Sequence, residues 1–337
     1  MDFLPRPPSV EKGEGGETNG RDERYSVMGY HPRIENAEAA RLGTTRCRNS
    51  RLWFVNNRHL EFAILGYLAK YSERYALDLY AFAIEGNHLH SLAHFPRLNQ
   101  SAFHRDLNSS VARVLPRYCP TYLGGTLWAR RYSSEFVPAS DDIEDRFFYV
   151  VLQPVQDGLV DKISEYPRYN CFNDAVSGIT RKYEVINWAL YNDHKRWNPS
   201  LSLINYKYTV SLSYKRLPGY ENLSQQQYKA LMLKKLEIKR IDAITKRKCA
   251  ALGRNALLCT IPGSLPKNSK KSTLTSHRPR ILAICPHRRQ KWYDWYFDIY
   301  YSYKEASKLF RSGSFNVQFP PGTYRPYTST AIIPTSQ

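Results

Sequence analysis

The sequence predicts an α+β fold, an antiparallel sheet with helices on one face, followed by a basic and mostly helical C-terminal extension. Three observations predict it. Short runs that alternate apolar and polar residues are bounded by Gly, Asn and Pro, as strands are. Between them lie stretches with apolar residues at helical spacing. The two kinds follow one another as strand, helix, strand, strand, helix, strand, helix.

Residues 1–28 are rich in Gly, Glu and Pro with almost nothing to bury, and are expected to form a disordered tail. Residues 44–55 (TTRCRNSRLWFV) read as the first strand. Residues 57–75 read as an amphipathic helix, with Leu60, Ile64, Leu65, Leu68 and Tyr71 on one stripe. Residues 77–84 (LDLYAFAI) and 88–95 (HLHSLAHF) read as two strands of a hairpin, joined at the turn signal Gly86-Asn87. Residues 100–114 read as a helix and 126–137 (TLWARRYSSEFV) as a strand. Ser140 is expected to cap a helix that opens on Asp141, Asp142 and Glu144, runs through Tyr149 and stops at Pro154. This order is the split βαβ arrangement of ferredoxin-like folds. After residue 175 the pattern weakens. Residues 184–194 read as a short helix, 206–214 as a strand, 225–252 as a long basic helix, 262–280 as a flexible basic linker, and 290–310 as helix or strands. The division expected is a tail over 1–28, a catalytic domain over 29–175 and a basic region over 176–337.

The chemistry-bearing residues fall on this frame. Alternate side chains of a strand share a face, so His88 and His90 project together while Leu89 turns to the other side. Residues four apart on a helix lie one turn above each other, which puts Tyr149 and Gln153 on one face. Two imidazoles, an amide oxygen and a phenol are the parts needed for metal-assisted nucleophilic attack on a phosphodiester. His94 reads as a satisfied histidine ahead of a support for the metal ligands or a DNA contact, and Glu85 either as a metal neighbour or as a solvated turn residue.

The formal charge of +19 points to nucleic acid as partner, ahead of an anionic membrane surface. Much of it lies between Lys229 and Lys291, against only Glu237 and Asp242. The candidate DNA contacts are Arg130, Arg131, Tyr132, Lys234, Lys235, Lys239, Arg240, Lys246, Arg247 and Lys248. Trp128, Trp292 and Trp295 read equally as stacking or core residues. The six cysteines form no CxxC or zinc spacing and are expected as free thiols. No apolar run reaches the length of a membrane span, so the expected place is the cytoplasm, on the nucleoid when DNA is bound.

Several ordered segments carry a family resemblance. IEGNHLHSLAHF resembles the His–hydrophobic–His segment of single-tyrosine HUH transposases. LWARRYSSEFV, YVVLQPVQDGLV and SEYP resemble three further segments of the same group, which includes insertion-sequence-200-type and REP-associated tyrosine transposases. The likeness runs over roughly residues 30–170. It implies that His88, His90 and Gln153 bind Mg²⁺ or Mn²⁺, and that Tyr149 is the nucleophile. It further implies single-stranded or hairpin DNA as substrate, a 5′-phosphotyrosine intermediate, and a monomer or homodimer. The sequence departs from the group at Gly86, where Pro is usual, at Gln153, where Asn is common, and at Tyr169-Asn170, where a Ser pair often follows Tyr-Pro. A rolling-circle-type HUH nickase and a non-catalytic DNA-binding regulator derived from a transposase are the alternatives.

Overall fold

A computed structural model of the chain describes residues 32–247, 249–266 and 280–326. The expected tail, Lys248 and residues 267–279 of the expected linker lie outside the described residues. The elements run β1 (Ala40–Arg46), α1 (Arg58–Tyr75), β2 (Asp78–Ile84), β3 (His88–His94), α2 (Gln100–Tyr118), β4 (Ser133–Val137), α3 (Ser140–Val151) and α4 (Gln153–Gln156). Then follow α5 (Phe172–Ser177), β5 (Arg181–Ile186), α6 (Trp188–Trp197), β6 (Lys207–Leu212), α7 (Gln225–Lys246), α8 (Arg254–Leu258), β7 (Arg280–Ile281) and α9 (Pro286–Arg311). The main sheet has the order β2-β3-β1-β4-β7, antiparallel except for the β4–β7 pair, and β5–β6 form a separate hairpin. This is the expected α+β class with a helical C-terminal part.

Local chemistry sets the elements. The side chain of Asn57 accepts from the Leu60 amide 3.0 Å away and starts α1, whose predicted stripe is buried. β1 begins four residues earlier than predicted and ends at Arg46, because Asn49 and Ser50 take positive φ (both 55°) and turn the chain out of the sheet. β4 covers only the end of residues 126–137, the remainder touching the sheet through a single Cys47–Trp128 bridge. Ser140 does not cap α3. It lies inside the helix after Ala139 and makes no capping bond, and the acids answer the helix's positive end instead. Of these, Asp142 is fully buried and accepts from the Ile284 amide at 2.6 Å and from Arg288 at 2.7 Å.

The helices cover both sides of the sheet rather than one. Directly opposed residues share a face, and Gly43 is opposite Ser91. A Cβ at Gly43 would lie 2.6 Å from the His104 ring and 2.8 Å from Ser91 Oγ, so α2, with α1 packed on it, seats on that face. Thr44 and His90 oppose each other on the other face, where His90 meets Tyr149 of α3. An alanine at Gly43 is therefore expected to destabilise the fold by about 1–3 kcal/mol. A urea midpoint unchanged in Gly43→Ala would show that α2 does not seat there.

The C-terminal region is packed into this body. Val185, Val210, Leu212, Tyr214, Tyr228 and Met232 join the buried cluster that holds the sheet and α1–α3. A second cluster gathers Ile34, Phe136, Ile281, Tyr296 and Phe297 beneath α9, with Trp292 and Trp295 against it. Among the described residues no helix is long and apolar enough to cross a membrane, and all six cysteines are unpaired.

Candidate active site

His88 and His90 stand side by side on β3, between β2 and β1, with ring centroids 4.7 Å apart. Each ring is held by its Nδ1. His88 Nδ1 lies 2.7 Å from Asn87 Oδ1, and Asn87 Nδ2 donates to Ser50 O at 2.8 Å. An amide oxygen can only accept, so the neutral His88 ring carries its proton on Nδ1 and leaves Nε2 as a lone pair. His90 Nδ1 lies 2.9 Å from Thr44 Oγ1, the residue opposite on β1. His90 Nε2 is buried without a partner. Burial, then the neighbouring His90 and Arg46, holds His88 well below the usual imidazole range. Burial and Arg46 pull His90 down to about 4. Both rings are thus neutral near pH 7, the form that ligates metals.

Tyr149 faces this pair, its ring 6.0 Å from that of His90 and nearly perpendicular to it. Burial raises the phenol pKa, with Glu135 and Asp157 adding to the rise and Arg146 and Arg280 opposing it. Gln153 does not continue the same helix. α3 ends at Val151 and α4 starts at Gln153, because Pro154 has no N–H to return to the Val150 carbonyl. Pro154 instead stands in the first turn of α4. Gln153 is buried. Its Nε2 donates to Asp157 at 3.1 Å, which fixes the amide and leaves Oε1 buried and unpartnered. The charge of Asp157 also bears on Glu85, which is buried, receives the Tyr166 hydroxyl at 3.2 Å, and is pushed up to about 8 chiefly by burial. Glu85 is therefore no solvated turn residue.

Two neutral imidazoles and an amide oxygen, with His90 Nε2 and Gln153 Oε1 otherwise orphaned, fit a divalent cation. Among the described residues no cluster of three or more His, Cys, Asp and Glu is placed to hold a metal, so this mixed set is the candidate.

The predicted DNA contacts divide. Arg130, Arg131, Lys234 and Lys246 are exposed, Lys246 beside Asp242. Tyr132 is buried with both ring faces taken, stacked 3.9 Å from His104 and under the Arg33 guanidinium at 3.5 Å, so it offers no platform for a base. Lys235 binds Glu144 at 2.7 Å, Lys239 reaches Asp145 at 3.4 Å, and Arg247 pairs with Asp161 at 2.5 Å. These ion pairs tie α7 and the residue after it to acids of α3 and of the loop after α4. Arg240 pairs with Glu237 of its own helix. His94 is a satisfied histidine, bonded to Ala37 O and beside Asp78. Trp128 donates to Asn108 O and packs on Phe54, and Trp292 and Trp295 pack on Phe136.

Sequence reasoning missed Thr44, Arg46, Glu135, Arg146, Asp157 and Arg280, and saw Asn87 only as a turn residue. Local signals were the i,i+4 spacing of Gln153 and Asp157 and the i,i+3 spacing of Arg146 and Tyr149 on α3.

The family model "Transposase IS200 like" matches residues 44–150, about a third of the chain. That segment is IS200-like. The IS200-like segment contains Thr44, His88, His90 and Tyr149 and ends before Gln153. Among solved structures, the "Structure of the REP associates tyrosine transposase bound to a REP hairpin" is 17% identical, covering 43% of this chain and 84% of that one at a TM-score of 0.37. No curated protein matches the chain.

Proposed function

We propose that the protein is a transposase that cuts and rejoins single-stranded DNA through a 5′-phosphotyrosine intermediate, at hairpins flanking its own element or repeats. The observation that carries this reading is a tyrosine set against two neutral, buried imidazoles within the IS200-like segment.

His88, His90 and Gln153 would hold Mg²⁺ or Mn²⁺. Such an ion, when bound, acts as a Lewis acid on a non-bridging phosphate oxygen. Thr44, Asn87 and Asp157 orient the three ligands. Tyr149 Oη forms a bond to phosphorus while the bond to the 3′-oxygen breaks. The proton the phenol gives up is matched by the one the departing 3′-oxygen takes. The DNA 5′ end remains on Tyr149, and a 3′-hydroxyl attacking that phosphotyrosine reverses the step at similar bond energy, so no nucleotide cofactor is required. Exposed Arg130, Arg131, Lys234 and Lys246 supply charge for the DNA backbone in the cytoplasm.

The test is a denaturing gel of the purified protein with end-labelled single strands from the flanks of its gene. A covalent protein–DNA band in Mn²⁺ that disappears in EDTA is expected. Tight binding with no band under any metal condition would favour the non-catalytic regulator.

A further inference from the structure

Tyr149 shares its side of the sheet with a charged pair that lies outside the ligand set. Thr44 opposes His90, Leu42 is two residues before it on β1 and opposes Glu135, and Glu135 in turn pairs with Arg280 of β7. Opposed residues share a face, as do residues two apart, so Glu135 and Arg280 belong to the histidine face. Arg280 Nη1 lies 3.1 Å from Glu135 Oε1, and the Arg280 side chain remains half exposed while that of Glu135 is mostly covered. Both charges act on Tyr149, in opposite senses. A second guanidinium, Arg146, sits 5.5 Å from the centre of the Tyr149 ring, with its Nε buried and unpartnered.

Arg280 comes from far outside the IS200-like segment, yet its position is well fixed. Leu282 N donates to Phe136 O at 2.8 Å, Ile284 N to Asp142 at 2.6 Å, and Arg288 reaches Asp141 and Asp142, both at 2.7 Å. The segment after Arg280 is thereby tied both to β4 and to the start of α3, the helix that carries Tyr149.

We propose that Arg280 is a phosphate-contacting residue of the cleavage site, supplied by the C-terminal segment, with Glu135 as its resting partner. This rests on the strand-transfer reading above. A guanidinium offers a planar fork of donors that matches two phosphate oxygens, and its exposed half can turn to them from Glu135. When Tyr149 attacks, negative charge on the non-bridging oxygens meets Arg280 with no proton exchanged. The contact is worth most in the transition state.

The experiment compares adduct formation in single turnover, at saturating single-stranded DNA and in Mn²⁺, for wild type, Arg280→Ala, Arg280→Lys and Glu135→Gln, with melting temperatures alongside. Arg280→Ala is expected to slow the adduct by about 100-fold. Arg280→Lys should restore part of the rate, and Glu135→Gln should equal or exceed wild type, since it frees the guanidinium. A merely structural ion pair would make Glu135→Gln as slow as Arg280→Ala, and that result overturns the proposal. So does an Arg280→Ala rate within twofold of wild type. If Arg280→Ala fails to fold, the rates of Arg280→Lys and Glu135→Gln decide. No adduct in any of the four, wild type included, sinks the strand-transfer reading and this assignment with it.

Discussion

Tyr149→Phe is expected to abolish the covalent protein–DNA band and to leave the fold and single-strand binding intact. The substitution removes one oxygen, the atom that would bond to phosphorus. The contacts of Tyr149 are made by its ring, near His90 and under Arg146, and among the described residues its hydroxyl has no hydrogen-bond partner. Phe keeps the ring and strands no donor or acceptor, so stability should change by less than about 0.5 kcal/mol. Adduct formation should fall by at least about a thousandfold, because loss of the nucleophile removes the reaction route itself. Denaturing gels measure the adduct, and fluorescence anisotropy with a labelled single strand measures binding. An adduct that persists would place the nucleophile on another of the 26 tyrosines. Binding lost together with the adduct would mean that the hydroxyl helps to hold the strand, and the missing band would then not identify Tyr149 as the nucleophile.

The parts legible in the sequence are those with a local signal. The α1 stripe from Leu60 to Tyr71 shows at helical spacing because one face of a helix must be dry. The β2–β3 hairpin shows because Gly86-Asn87 marks the turn and the flanking runs alternate. His88 and His90 are legible as a pair because side chains two apart on a strand share a face. Gln153 is legible through Tyr149, although the backbone breaks between them at Leu152. What stayed hidden depends on chain-distant pairing. Thr44 is an unremarkable strand residue until the β1–β3 register sets it opposite His90. β7 is two residues long, too short for any periodicity, and only its pairing to β4 brings Arg280 near Tyr149. The basic run of α7 reads as a DNA surface because composition cannot show that Glu144, Asp145 and Asp161 lie beneath it. Tyr132 reads as a stacking residue for the same reason, since its partners His104 and Arg33 come from elsewhere in the chain.

Acid should loosen the fold through a histidine that the candidate chemistry does not use. His104 is buried on α2, its ring against Gly43 and Tyr132, and burial, then the charge of Arg33, pulls its pKa down to about 3. The unfolded chain takes up this proton near pH 6.5, whereas the folded chain resists it until about pH 3. The stabilisation is therefore complete above pH 6.5 and is lost progressively as pH falls toward 3. Each pH unit in that window is worth about 1.4 kcal/mol, so about 2–3 kcal/mol should go between pH 6.5 and 4.5 through His104 alone. Urea midpoints at the two pH values, for wild type and His104→Leu, isolate it. The variant is expected to lose about 2–3 kcal/mol less than wild type over the same interval, whatever its stability at neutral pH. An equal loss in both would show that His104 titrates normally and that α2 leaves its ring open to water. A smaller loss in the variant would locate the acid weakness at the contact between α2 and β1, directly behind the strand on which Thr44 orients His90.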